Sequence, residues 1–121
     1  MPAIPPVILK KLYVKGSLRP EGDGFSLTLK NTIAPGTILE FKGLELDGQP
    51  VPLERTAVVV GTEERAATAI APDAPLAFSL GAEFTLRVAG VPLEPGPHTL
   101  RIRVVVQDVG PLEIPVSDQV V

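Results

Sequence analysis

The segment from Ala82 to Asp108, AEFTLRVAGVPLEPGPHTLRIRVVVQD, decides the fold class. Phe84, Leu86 and Val88 alternate with Thr85, Arg87 and Ala89. Farther on, Leu100, Ile102, Val104 and Val106 alternate with Thr99, Arg101, Arg103 and Val105. A period of two places each apolar set on one face of a pleated strand. Pro95-Gly96 suits a type II turn, because Pro presets φ and Gly accepts the positive φ that follows. The segment therefore reads as a β-hairpin.

Similar patterns recur on both sides. Ile8–Leu18 reads as a first strand, with Lys10, Lys11 and Lys15 on its wet face or edge. Phe25–Lys30 alternates cleanly. Ile38–Leu46 is interrupted by Gly43, where a bulge would move the buried face from Leu39 and Phe41 to Leu44 and Leu46. Asp47-Gly48 is a strong short-turn signal. Ala57–Val60 and Leu76–Leu80 are short apolar strands, and Glu63–Ala71 reads as strand or loop. In Leu112–Val116, Pro115 falls on the outward parity, which places that strand at an edge. Eight or nine short strands with closely spaced turns predict a single-domain, all-β, antiparallel β-sandwich over residues 8–121. Residues 1–7 read as an extended N-terminal arm. Immunoglobulin-like and jelly-roll sandwiches both stay open.

At 121 residues the chain has the length of one domain. Fifteen Leu, fifteen Val and seven Ile supply a core, against four Phe, one Tyr and no Trp. The net charge of −3 removes the electrostatic footprint of a nucleic-acid binder. No apolar run approaches a membrane span, and the N-terminus lacks the pattern of a signal peptide. With no cysteine, thiolate chemistry and Cys-based metal sites are excluded, and a cytoplasmic location is expected. One Asn, three Gln and fourteen Pro fit a thermophile or GC-rich coding equally.

Catalytic chemistry is sparse. His98, the single histidine, begins a strand at an outward or edge position and reads as structural. Glu40, Glu45, Glu83 and Glu113 are the carboxylates placed to oppose one another across a sheet, and they read as ordinary polar-face residues. Asp23 and Asp47 precede Gly in turns. No phosphate loop, dinucleotide fingerprint or nucleophile elbow is present. No catalytic residue, metal ligand or cofactor site is assigned. Interface candidates are Tyr13, on the parity opposite Leu12 and Val14; Val105, which interrupts a polar strand face; and the terminal Val120 and Val121.

Several stretches carry a resemblance: Val14-Lys15-Gly16-Ser17-Leu18-Arg19, then Gly24-Phe25 with Leu27, Leu29 and Asn31. Leu46-Asp47-Gly48 and Leu93-Glu94-Pro95-Gly96-Pro97-His98 complete the set. In order and spacing the chain resembles the β subunit of C-glycoside deglycosidases, formerly a domain of unknown function. That resemblance implies a non-catalytic β-sandwich subunit bound to a larger barrel subunit, which holds the divalent metal and the catalytic residues. The expected partner is accordingly a larger catalytic subunit or, alternatively, further copies of the chain in a freestanding homo-oligomer. A small carboxylate-based enzyme is the third reading.

Overall fold

The computed structural model describes residues 4–121. Two antiparallel sheets face each other across a shared apolar core. In chain order the strands are β1 (Arg19–Glu21), β2 (Gly24–Lys30), β3 (Gly36–Leu46), β4 (Gln49–Pro50) and β5 (Thr56–Val60). They continue with β6 (Glu63–Ala66), β7 (Leu76–Phe78), β8 (Glu83–Val88), β9 (Gly96–Val106) and β10 (Gly110–Val120). One sheet has the order β1-β2-β8-β5-β6 and the other β10-β9-β3-β4, with β7 also pairing β3. This is the all-β antiparallel sandwich that the alternation implies.

The Ala82–Asp108 segment is nevertheless not a hairpin. β8 pairs with β2 and β5, whereas β9 pairs with β3 and β10 in the opposite sheet. Residues 89–95 cross from one sheet to the other. Leu93 is buried under that crossing, and the Ala89 N–H donates to the Arg55 carbonyl instead of to β9. Alternation specifies which side chains face the core; it does not specify the neighbouring strand. Gly96 does take a positive φ, of 122°, where the chain enters β9.

The expected first strand is also replaced. Pro6–Leu9 form a single helical turn, α1, followed by a 3₁₀ turn over Lys10–Leu12. Pro6 stands at the start of the helix, where its missing N–H costs nothing and its fixed φ is already helical. Leu9 and Leu12, three residues apart, are buried, while Lys10 and Lys11 are exposed on the helical turns and not on a strand face. The extended arm therefore ends at Pro5, and its first three residues lie outside the described residues.

Other elements form where the pattern places them. The register of β3 against β9 slips between Phe41 and Gly43, so Leu44 and Leu46 become buried, as the Gly43 interruption suggests. A second slip, between Ile38 and Glu40, makes Ile38 the buried partner of Phe41 in place of Leu39. Asp47 and Gly48 both take positive φ, 52° and 83°, as a tight hairpin turn requires. β10 is an edge strand and is longer than Leu112–Val116. Phe84 of one sheet meets Phe41 and Phe78 of the other, with ring centroids 6.1 and 4.7 Å apart. Such tilted and edge-on aromatic contacts add to simple burial in holding the layers together. Among the described residues no helix is long and apolar enough to cross a membrane.

Candidate functional site

A polar cluster forms at the end of the sandwich where the Asp47-Gly48 turn, the start of β9 and the end of β10 meet. Leu46 pairs with Leu100, which sets Asp47 beside Thr99 and His98. His98 in turn pairs with Asp118 across β9 and β10. A shallow cleft lined by Asp47, His98, Thr99, Ser117 and Asp118 opens there.

His98 is committed at both ring nitrogens. Nδ1 lies 2.6 Å from Asp47 Oδ2, and Nε2 lies 2.6 Å from the Glu94 carbonyl oxygen. A carbonyl oxygen only accepts, so Nε2 donates to it; a carboxylate likewise accepts from Nδ1–H. The geometry is that of an imidazolium holding two acceptors. The Asp47 hydrogen bond, followed by that to Glu94, raises the His98 pKa above its ordinary value. Asp47 is held below the usual carboxylate range, chiefly by the Thr99 N–H that donates to Oδ1 at 2.9 Å, with His98 adding to it. His98 thus ties the 89–95 crossing to the β3–β4 turn and keeps no lone pair free to accept a substrate proton.

A second pair lies alongside. The Tyr13 hydroxyl donates to Asp118 Oδ2 at 2.6 Å and accepts from the Leu18 N–H at 2.9 Å. Asp118 Oδ2 also accepts from the Gly16 N–H at 2.8 Å. Partial burial raises the Tyr13 pKa, with the Asp118 bond adding to the rise, and the Tyr13 bond lowers that of Asp118. Tyr13 is half-buried, so its ring faces the protein and its hydroxyl serves an internal contact.

The other interface candidates are spread out. Val120 is buried in the core opposite Gly96 and presents almost nothing to a partner; it continues the inward parity of Ile114 and Val116. Val121 is fully exposed. Val105 is half-buried between Glu40 and Pro111 on the outer face of β9. It sits seven residues from His98, roughly 23 Å along the strand at 3.3 Å per residue. The structure therefore brings Tyr13 to Asp118 near the end of β10, and leaves Val105 at the far end of the sheet.

The four strand carboxylates do not converge. Glu45 and Glu113 flank Arg103, whose guanidinium lies 2.9 and 3.2 Å from them, and Glu40 lies 3.4 Å from Lys42. Glu83 is on the other sheet, opposite Lys30. Among the described residues no three His, Asp or Glu side chains gather in a group able to hold a metal ion.

Comparison with known families resolves the chain's relationships. The family model that matches, over residues 8–121, is Hydroxymethylglutaryl-CoA reductase, N-terminal domain. The chain belongs to that family. The resemblance to the β subunit of C-glycoside deglycosidases is thereby overturned. The turns and strand patterns behind that resemblance recur in many β-sandwiches, so they marked the architecture and not the lineage. No curated protein matches the chain significantly.

Proposed function

We propose that this chain is a non-catalytic accessory module, a rigid sandwich that supports a catalytic unit instead of carrying the reaction. The observation behind this reading is the double commitment of the His98 ring. The pairing of Glu45 and Glu113 to Arg103 adds support, since carboxylates already neutralised by a guanidinium are poor acid–base candidates. The family description, an N-terminal domain of a hydroxymethylglutaryl-CoA reductase, accords with a module placed beside a catalytic one. A cytoplasmic location is part of this reading, since a chain without cysteine needs no oxidising compartment to fold.

The test supplies hydroxymethylglutaryl-CoA and a hydride donor to the purified chain, and to a reductase catalytic unit with and without the chain. The accessory reading expects no turnover by the chain alone and a change in the stability or rate of the catalytic unit when the chain is added. Turnover by the chain alone, abolished in His98→Asn, would overturn it.

A freestanding homo-oligomer is the second reading, favoured by the position of Val105 in an otherwise polar row. Light scattering at several concentrations, on the wild type and on Val105→Lys, separates the two. A dimer that dissociates in the variant supports self-association through that face, and a monomer in both removes it.

A further inference from the structure

Between the sheets, at the end away from His98, the core is not completely filled. A recess of about 110 Å³ lies among Ile38, Phe78, Phe84, Val106, Leu112 and Ile114. Its exposed side is formed by Ala34 and Pro35, and among the described residues no charged side chain lines it.

The polar groups that reach the recess decide what can occupy it. Asn31 is buried, and its side-chain amide is fully used. Nδ2 donates to the carbonyls of Ala34 and Phe78, each at 2.7 Å, while Oδ1 accepts from the N–H groups of Ile33 and Ala34 at 3.1 and 3.3 Å. Thr37 is the other polar side chain in the wall. An ordered buried water needs two to four hydrogen-bond partners, and apolar cavities without them stay dry. A dry cavity of about 150 Å³ lined by aliphatic and aromatic side chains accepts benzene. The recess here has a similarly apolar lining and approaches that cavity in size, but it is open on one side, through which a ligand can enter.

We propose that this recess is a binding site for a small, neutral, apolar molecule with the bulk of a single aromatic ring or a short branched hydrocarbon. The lack of a charged side chain in the lining disfavours ligands that bring a carboxylate or phosphate inside, because a buried charge requires a partner. Gly36 stands at the recess with no steric guard: a Cβ there would meet only Val106 Cγ1 at 3.9 Å and the Ala34 and Phe78 carbonyl oxygens at 4.0 Å. The backbone at Gly36 is not in the left-handed region, so a larger side chain fits the strand and fills the recess instead of straining the chain.

Benzene is the probe, titrated into the methyl-labelled protein and followed by NMR. Saturable shifts are expected at Ile38, Val106 and Leu112, with Val51 and Leu93 unmoved. In Gly36→Val the affinity falls by roughly tenfold or more. Gly36→Ala, whose methyl makes only ordinary contacts, retains the fold and shows a smaller fall. The proposal is overturned if no saturable shift occurs up to the solubility of benzene, or if Val51 and Leu93 shift equally. It is also overturned if both glycine variants bind benzene as the wild type does.

Discussion

The phenol of Tyr13 joins positions 105 residues apart by donating to Asp118, and it also receives the Leu18 N–H. Tyr13→Phe keeps the ring and removes both bonds, leaving a part-buried carboxylate and an amide short of partners. The expected cost is about 1–2 kcal/mol in urea unfolding with an unchanged m value. A variant as stable as the wild type would mean that water replaces the hydroxyl without loss. The His98–Asp47 bridge makes a different prediction, one of pH. His98 has a raised pKa in the folded state, so its contribution is complete below about 6.5 and is lost as pH rises through the raised value. Asp47 has a lowered pKa, so its contribution is complete above 3.8 and is lost as pH falls through the lowered value. Because the Asp47 side chain is 45% exposed, the bridge is worth less than about 1 kcal/mol. In His98→Asn the fall in stability on the alkaline side should flatten, as measured by unfolding midpoints from pH 5 to about 9. An unchanged profile would show that the bridge contributes nothing in solution. Both residues stand out in the sequence, as a lone histidine and a turn aspartate. Their partnership does not, because it depends on the β3–β9 register, which no local pattern encodes. The inward parity of Ile114 and Val116 extends to Val120 and signals its burial, whereas its place beside the terminal Val121 makes it read as an interface residue.

At the scale of the element, alternation located β2, β3, β5 and β8 well, because a half-buried strand must alternate to keep one face dry. It failed at α1, where Pro5-Pro6 followed by Leu9 and Leu12 signals a helical turn that the Lys-rich stretch disguises as a strand. It also failed for the pairing of β8, since two consecutive strands with the correct faces fit a hairpin and a sheet crossing equally. Gly24 shows how closely β2 and β8 approach. A Cβ at that position would come within 1.8 Å of the Val88 carbonyl oxygen, which is backbone and cannot rotate away. Gly24→Ala should therefore displace the start of β2 and cost about 3 kcal/mol or more. Thermal unfolding measures the loss. Gly48→Ala is the comparison: it strains the turn but meets no atom within 4 Å, so it should cost less. Equal losses at the two positions would refute the steric account.

On the scale of the molecule, the outer strands are poorly suited to pairing with another chain. β1 carries Pro20, β4 carries Pro50, β10 carries Pro111 and Pro115, and β6 presents Glu63 and Glu64. Proline withholds a donor from an approaching strand and charge discourages contact, two common defences against edge-to-edge aggregation. Any partner is better received on a sheet face or at an end of the sandwich. The crossing at residues 89–95 has a consequence for cooperativity. It joins β8, which sits in the middle of one sheet, directly to β9, which is flanked on both sides in the other. Both strands also bury their inward faces in one shared core, so neither sheet keeps its apolar face covered once its companion is lost. Amide protons of Leu86 and Ile102 should therefore exchange with the same free energy, and that value should equal global unfolding. Separate exchange energies for the two strands would reveal two unfolding units where this connection implies one.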